Sequence, residues 1–181
     1  MFEPDRTFFT ADWHFLHENI IGFCDRPFKN CTAMQNAFKK RFNSVVKPKS
    51  VLFNLGDLTL KGPKYFTSVR DILDHFNGEK HLVVGNHDQW QTWKYIDLGF
   101  SSVHTSFVFE HDGYRFYLAH DPAIYTAIEN DAKAVLLCGH VHNLFQSLLP
   151  EKRVVNVGVD VWDYKPVPFT EILFMLNKHN I

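Results

Sequence analysis

Long apolar runs are missing from this sequence. No stretch approaches the roughly 20 consecutive apolar residues that a bilayer-spanning helix needs, so no membrane association is expected. Cysteine is scarce. Cys24, Cys31 and Cys138 form an odd set with no CxxC pair, which argues against a disulfide framework or a thiolate zinc knot and favours a reducing compartment. Basic runs are absent as well, and the formal net charge is −1. That leaves no electrostatic footprint for tight nonspecific duplex binding, although a local basic groove stays open. The segment "MFEPDRTFF" has no basic stretch followed by a long apolar core, so no signal peptide is expected and the expected location is cytoplasmic. Internal repeats, low-complexity tracts and Gly-, Ser- or Pro-rich linkers are also missing, which favours one domain over residues 1–181.

What is present is an ordinary globular background, 45% hydrophobic and 22% charged, with 18 Phe and 11 His. Phenylalanine can be core filler, whereas a buried histidine needs a partner. Short apolar runs that stop at a polar cluster recur: "RTFFTAD", "SVLFNLGD", "KHLVVGNHD", "YRFYLAHD" and "AVLLCGHVH". Each has the length of a buried strand and lacks helical periodicity. Helices are expected over 32–43, where Thr32 is a plausible N-cap, over 64–76 and over 89–98. "SSVHTSFVFEHDGYRFYLAH" reads as a hairpin turning at Asp112-Gly113. Near the C-terminus Thr170 could cap a helix through Asn177, although "ILFML" could equally be a strand.

Strands alternating with helices, plus one antiparallel hairpin, indicate an α/β layered fold, in which ligands collect at the carboxyl ends of strands. All five runs place their polar residues at that end. Asp12 and His14 are two apart, so on an extended backbone they share a side. Asp57 follows Gly56; Asn86, His87 and Asp88 follow Gly85; His120 ends its run; His140 and His142 follow Gly139. Imidazoles, carboxylates and one amide oxygen suit zinc, manganese or iron. Asp12, His14, Asp57, Asn86, His120, His140 and His142 are too many ligands for one tetrahedral ion. They suit two ions sharing a carboxylate at roughly 3.5–4 Å separation.

The ordered blocks "DWH", "GD", "GNHD", "AH" and "GHVH", from Asp12 to His142, resemble the signature of the calcineurin-like metallophosphoesterases. "HENII", "RPF", "NSVVKP" and "NVGVDVWDYKPVP" further resemble a small bacterial and phage subgroup, except that Leu16 stands where glycine is expected. The resemblance implies a layered β-sandwich flanked by helices. It implies one metal on Asp12, His14 and His142, another on Asn86, His120 and His140, and Asp57 as the bridge. Two divalent cations are implied, manganese first, with iron, zinc or nickel as alternatives. The implied reaction is hydrolysis of a phosphodiester or phosphomonoester by in-line attack of a hydroxide held between the ions. His87 would stabilise the transition state or protonate the leaving oxygen, and Asp88 would orient its imidazole. The charge balance favours a nucleotide or another small soluble ester; a nuclease and a noncatalytic metal-binding scaffold are the rivals.

The sequence leaves the roles of other residues open. His17 could reach the cleft or begin a helix, Glu18 and Asn19 read as helix-start residues, and Trp13 should point toward packing. Arg26 could be a phosphate fork or a surface residue. Asp160 could orient a ligating histidine or fix a loop. His75, His81, His104, His111 and His179 fit no block and are expected on the surface or at caps. The cysteines are expected to be small buried hydrophobes.

Overall fold

The computed structural model describes residues 2–145 and 147–179. Strands β1 (Thr7–Thr10), β2 (Val51–Asn54), β3 (Glu79–Val83) and β4 (Phe100–His104) lie side by side and parallel in one sheet. Strand alternation divides their side chains between two cores. Phe8, Leu52, Leu82 and Phe100 face outward and pack against α1 (Asn19–Phe23), α2 (Cys31–Val45), α3 (Phe66–Leu73) and α4 (Thr92–Asp97). Phe9, Phe53 and Val83 face the other way, toward a second sheet.

That second sheet contains β5 (Phe107–His111), β6 (Tyr114–Leu118), β7 (Ala134–Cys138), β8 (Leu148–Leu149) and β9 (Val154–Asn156), in the order β5-β6-β7-β9-β8. Strand β7 is buried along its length between parallel β6 and β9, which explains its unbroken apolar text. Phe116, Leu118, Val135, Leu137 and Val155 complete the core between the sheets. The outer face of this sheet packs on α5 (Tyr125–Ile128). Finally β10 (Val167–Pro168) pairs antiparallel with β1 and leads into α6 (Phe169–Lys178), which buries Phe169, Ile172 and Leu176 in the inter-sheet core. The expected layered sandwich flanked by helices is the architecture found. Among the described residues no helix is long and apolar enough to cross a membrane.

Several local expectations are corrected. Helix α2 is capped by Asn30, whose side-chain oxygen accepts the Ala33 N–H at 2.9 Å, while Thr32 lies inside the first turn. The 64–76 region opens as a 3-10 turn over Pro63–Tyr65 and only then becomes α3. Helix α4 is shorter than 89–98 because Trp90 is held outside it: its N–H donates to the Tyr95 hydroxyl and its indole to the Lys61 carbonyl. Asp112 and Gly113 do turn a hairpin, both with positive φ, but it joins only β5 and β6. Residues 101–104 belong to β4 in the other sheet, so the chain crosses between sheets before Phe107. "ILFML" lies in α6, which begins at Phe169 with Pro168 rather than Thr170 at the cap position.

His75 and His179 are exposed as expected, whereas His81, His104 and His111 are half-buried. Ser102 Oγ lies 2.7 Å from both His81 Nδ1 and His104 Nε2, and the His111 ring packs on Phe169. Replacing Asn30 with alanine should lower unfolding stability by about 1 kcal/mol through loss of the cap, and Thr32→Ala by clearly less; urea midpoints of the two variants check this.

Candidate metal centre

The polar residues leave the strands through loops tied to one another by backbone bonds. Asp12 N–H donates to Gly56 O, His14 N–H to Asp57 O, and Phe15 N–H to Leu58 O, at 2.9–3.0 Å. Extended alternation is not what brings Asp12 and His14 together. Strand β1 ends at Thr10, and both residues adopt left-handed backbone, φ 61° and 51°. Asp57, His140 and His142 do so too. A non-glycine residue in that region costs roughly 1–2 kcal/mol, and such strain collects at functional sites. Between Asp12 and His14, Trp13 turns into the core against Phe15, Phe42 and Phe76, with its indole donating to Thr10 Oγ1.

Glycine allows the loops after β2 and β3 to touch. Gly56 has φ 99°, and a Cβ there would lie 2.6 Å from the Gly85 nitrogen; one on Gly85 would lie 2.3 Å from Asp57 Oδ1.

Two groups of donor atoms converge. Asp12, His14 and His142 form one; Asp57, His120 and His140 form the other, with the atoms of each within 4.8 Å of one another. Asn86 Oδ1 joins the second at 3.0 Å from His120 Nε2 and 3.0 Å from His140 Nδ1. Asp57 Oδ2 stands between the groups, 3.5 Å from His14 Nε2 and 3.4 Å from His120 Nε2. The His87 imidazole lies at the margin, its Nε2 4.0 Å from the same oxygen and its side chain 40% exposed.

Burial and neighbouring charge set the protonation of these groups. Burial pushes the Asp12 carboxyl up, against the pull of His142 and His120. It pushes His14 down to about 3 despite nearby Asp57, so that ring is neutral. Burial would raise Asp57 as well, but its hydrogen bond to His120 and the histidine charges outweigh this and hold it at about 2, ionised. Burial disfavours a charged His142, yet its bond to Asp160 outweighs burial and raises it to about 10.

The donor chemistry fits divalent cations. Both ring nitrogens of His14 are buried without a hydrogen-bond partner, a costly arrangement unless a cation takes a lone pair. His120 Nδ1 donates to Leu55 O at 2.7 Å, which directs Nε2 at Asn86 and Asp57. His142 Nδ1 donates to Asp160 Oδ2 at 2.8 Å, so Nε2 is the nitrogen left to meet a cation, which would take the place of its proton. Fixing the ring through its second nitrogen is the usual support for a ligating histidine. Asn86 and His140 are less buried than Asp12, His14, Asp57 and His120, so the centre opens on one side.

Arg26 is neither a phosphate fork nor a surface residue. Its buried guanidinium grips Asp160 with two bonds of 2.7 and 2.9 Å and donates to the carbonyls of Asp12 and Trp13. Asp160 therefore faces both Arg26 and His142. Asp88 also differs from its implied role. Its carboxylate accepts the backbone N–H groups of Asp57, Leu58 and Gly85 at 2.7–3.0 Å, with no bond to the His87 imidazole. Burial raises it to about 6. Glu18 accepts the Cys31 N–H, tying the loop before α1 to the start of α2.

Asn54, Asn156 and Cys24 were missed by sequence reasoning. Asn54 and Asn156 each accept the N–H of the glycine two residues on, Gly56 and Gly158, and Asn156 also donates to the His142 carbonyl. The twin texts "NLG" and "NVG" at strand ends carried that signal, an Asx turn. Cys24 is more than filler, since its sulfur lies within 4.8 Å of donor atoms of His142 and Asp160; Cys31 is only half-buried. His17 faces a cavity of about 420 Å³ beside the centre, together with His14, His87 and His140.

Residues 10–178 match the family model described as the calcineurin-like phosphoesterase superfamily domain, and the chain belongs to that superfamily. The family is metal-dependent and acts on phosphoesters, and the two donor groups are its candidate metal ligands here. The chain is similar to the uncharacterized protein MJ1445 of Methanocaldococcus jannaschii, 31% identical over 179 residues, covering 97% of this chain and 94% of that protein. It is also similar to the Gene 66 protein of Mycobacterium phage D29, 24% identical over 192 residues, covering 93% and 94% respectively. The crystal structure of AQ665 from Aquifex aeolicus, a protein of unknown function, superposes with a TM-score of 0.72 at 27% identity, covering 93% of this chain and 98% of that one.

Arg26→Met should leave the buried Asp160 carboxylate without its main partner and lower stability by about 3–5 kcal/mol, read from denaturant unfolding.

Proposed function

We propose that the protein hydrolyses a phosphoester using two divalent cations, manganese first, with iron, zinc or nickel as alternatives. Asp12, His14 and His142 would hold one ion, Asn86, His120 and His140 the other. The observation that carries this reading is the position of Asp57 Oδ2, within 3.5 Å of a ring nitrogen from each donor group. Such cations lower the pKa of bound water toward neutrality and neutralise charge on the phosphoryl oxygens.

The chain supplies the rest. Asp57 stays ionised and is fixed from two directions: Asp88 accepts its N–H, and its own Oδ1 accepts the N–H of His87 at 3.1 Å. The latter bond ties the His87 backbone to the centre while its partly exposed ring stays free to meet substrate. His87 is placed to donate a proton to a phosphoryl or leaving oxygen, a contribution typically worth about 10²–10⁴ in rate. Asp160 orients His142, and Arg26 fixes both Asp160 and the backbone carrying Asp12. A small soluble ester such as a nucleotide is the substrate class in keeping with a net charge of −1.

Two variants test the roles. His87→Ala should keep its metal content, measured by plasma mass spectrometry, yet lose about 10²–10⁴ in turnover of a p-nitrophenyl ester with Mn²⁺. Loss of both metals in that variant would sink the role given to His87. Asp57→Asn should lower the occupancy of both sites together. If several mono- and diesters stay intact with Mn²⁺, Fe²⁺, Zn²⁺ or Ni²⁺ while metal is bound, a noncatalytic scaffold replaces the hydrolase.

A further inference from the structure

The mouth of the centre is apolar to a degree that phosphate chemistry does not require. Three large side chains that stand out in water gather there: Phe23 from the end of α1 (74% exposed), Leu60 (38%) and Leu144 (84%). Val141 and Ile20 line the same cavity. Scattered exposed apolar residues are ordinary, but a cluster at the rim of a polar site marks a binding surface. Among the described residues, no lysine or arginine lines this cavity. Arg26 is committed to Asp160 and backbone carbonyls below it.

A second cavity of about 240 Å³ shares Leu60 and His87 with the first and is completed by Lys61, Gln89 and Trp90. Space for a substituent therefore lies on both sides of His87, with different chemistry on each side. A monoester has one organic substituent and carries more negative charge than a diester, so it leaves one side empty and finds no lysine or arginine in the larger. A diester has a substituent for each.

We infer that the centre takes a phosphodiester whose non-leaving substituent is a flat aromatic ring seated against Phe23, Leu60 and Leu144. Two aromatic neighbours in the wall favour a ring over an aliphatic group. The rings of His17 and Phe23 lie with centroids 6.2 Å apart at an interplanar angle of 60°, and aromatic faces and edges prefer such offset or tilted partners. A nucleobase is one ring of this kind. The inference rests on the phosphoesterase reading and assigns His17 to contact with the substrate.

The test holds the leaving group constant. p-Nitrophenyl esters carrying phenyl, cyclohexyl, methyl or no second substituent are compared on the manganese-loaded protein. The phenyl diester should exceed the methyl diester in kcat/KM by about tenfold or more, with the cyclohexyl diester between them and the monoester lowest. In Phe23→Ala and Leu144→Ala the phenyl-to-methyl ratio should fall below about threefold. Calorimetric titration gives a second readout, with diphenyl phosphate binding more tightly than dimethyl phosphate, and less so in Phe23→Ala. Equal rates for phenyl and methyl, a cyclohexyl ester matching phenyl, a preferred monoester, or a ratio that Phe23→Ala leaves intact would each overturn the inference while leaving the hydrolase reading in place. If diphenyl phosphate binds selectively but no ester is cleaved, the recognition stands and the hydrolase reading fails. A dimer by light scattering that Leu144→Asp returns to monomer would assign the wall to a second copy and overturn the inference.

Discussion

The carboxylate of Asp57 is the constraint around which the rest is arranged. It is buried, ionised, and pressed between ring nitrogens of His14 and His120. A buried carboxylate needs positive charge beside it, and the His14 nitrogens that crowd it have no hydrogen-bond partner of their own. The surrounding framework resists the outward collapse that would relieve this. Asp88 holds the N–H groups of Asp57, Leu58 and Gly85 together, and Asp12 and His14 are bonded through their backbone to the Asp57 loop. Left-handed backbone at Asp12, His14, Asp57, His140 and His142 adds strain that persists only because so many bonds fix these loops.

A second strut joins the distant parts of the chain. Arg26 lies 134 residues from Asp160, yet the pair forms the innermost ion bridge of the site, with side chains 0% and 2% exposed. A buried pair of this kind is weak evidence for net stability, because desolvation offsets most of the Coulomb gain. Its consequence is geometrical. Arg26 grips the carbonyls of Asp12 and Trp13 while Asp160 sets the ring of His142, so one bridge aligns two ligands of the same donor group. Asn156 aids it by donating to the His142 carbonyl.

The strands and the residues that crowd their ends were legible in the sequence, because a short apolar run that stops at Asp, His or Asn is what a buried strand leading into a polar cleft must look like. The division of residues 101–118 between two sheets was not, since β4 and β5 are separated by only two residues and nothing local marks the crossing. Helix ends were misjudged where a competing bond decided them, as when Trp90 bonds to Tyr95 and Lys61 instead of entering α4. The tasks of Arg26 and Asp88 were hidden for a related reason. Each acts on backbone atoms of a loop far away in sequence, and no spacing rule reports such a partner. Phe23 and Leu144 were also unreadable, because exposure of an apolar residue is a property of the folded loop.

Leu16 joins these themes. Glycine is expected at this place from the resemblance, and the backbone supplies the physical reason: φ is 63°, a region glycine enters without penalty. Leucine there costs roughly 1–2 kcal/mol in the backbone. Its side chain packs on the helix-side core, however, beside the cluster that holds Trp13 and Phe15, and burial of a leucine is worth a similar amount. The substitution thus exchanges conformational ease for packing at the loop that runs from His14 to His17. That loop carries a ligand at one end and a cavity-lining ring at the other, so anchoring its middle in the core serves both. A glycine would leave the same path open without that packing, and the placement of His17 beside Phe23 would then rest on the bonds of the loop, Phe15 N–H to Leu58 O and His17 N–H to His14 O.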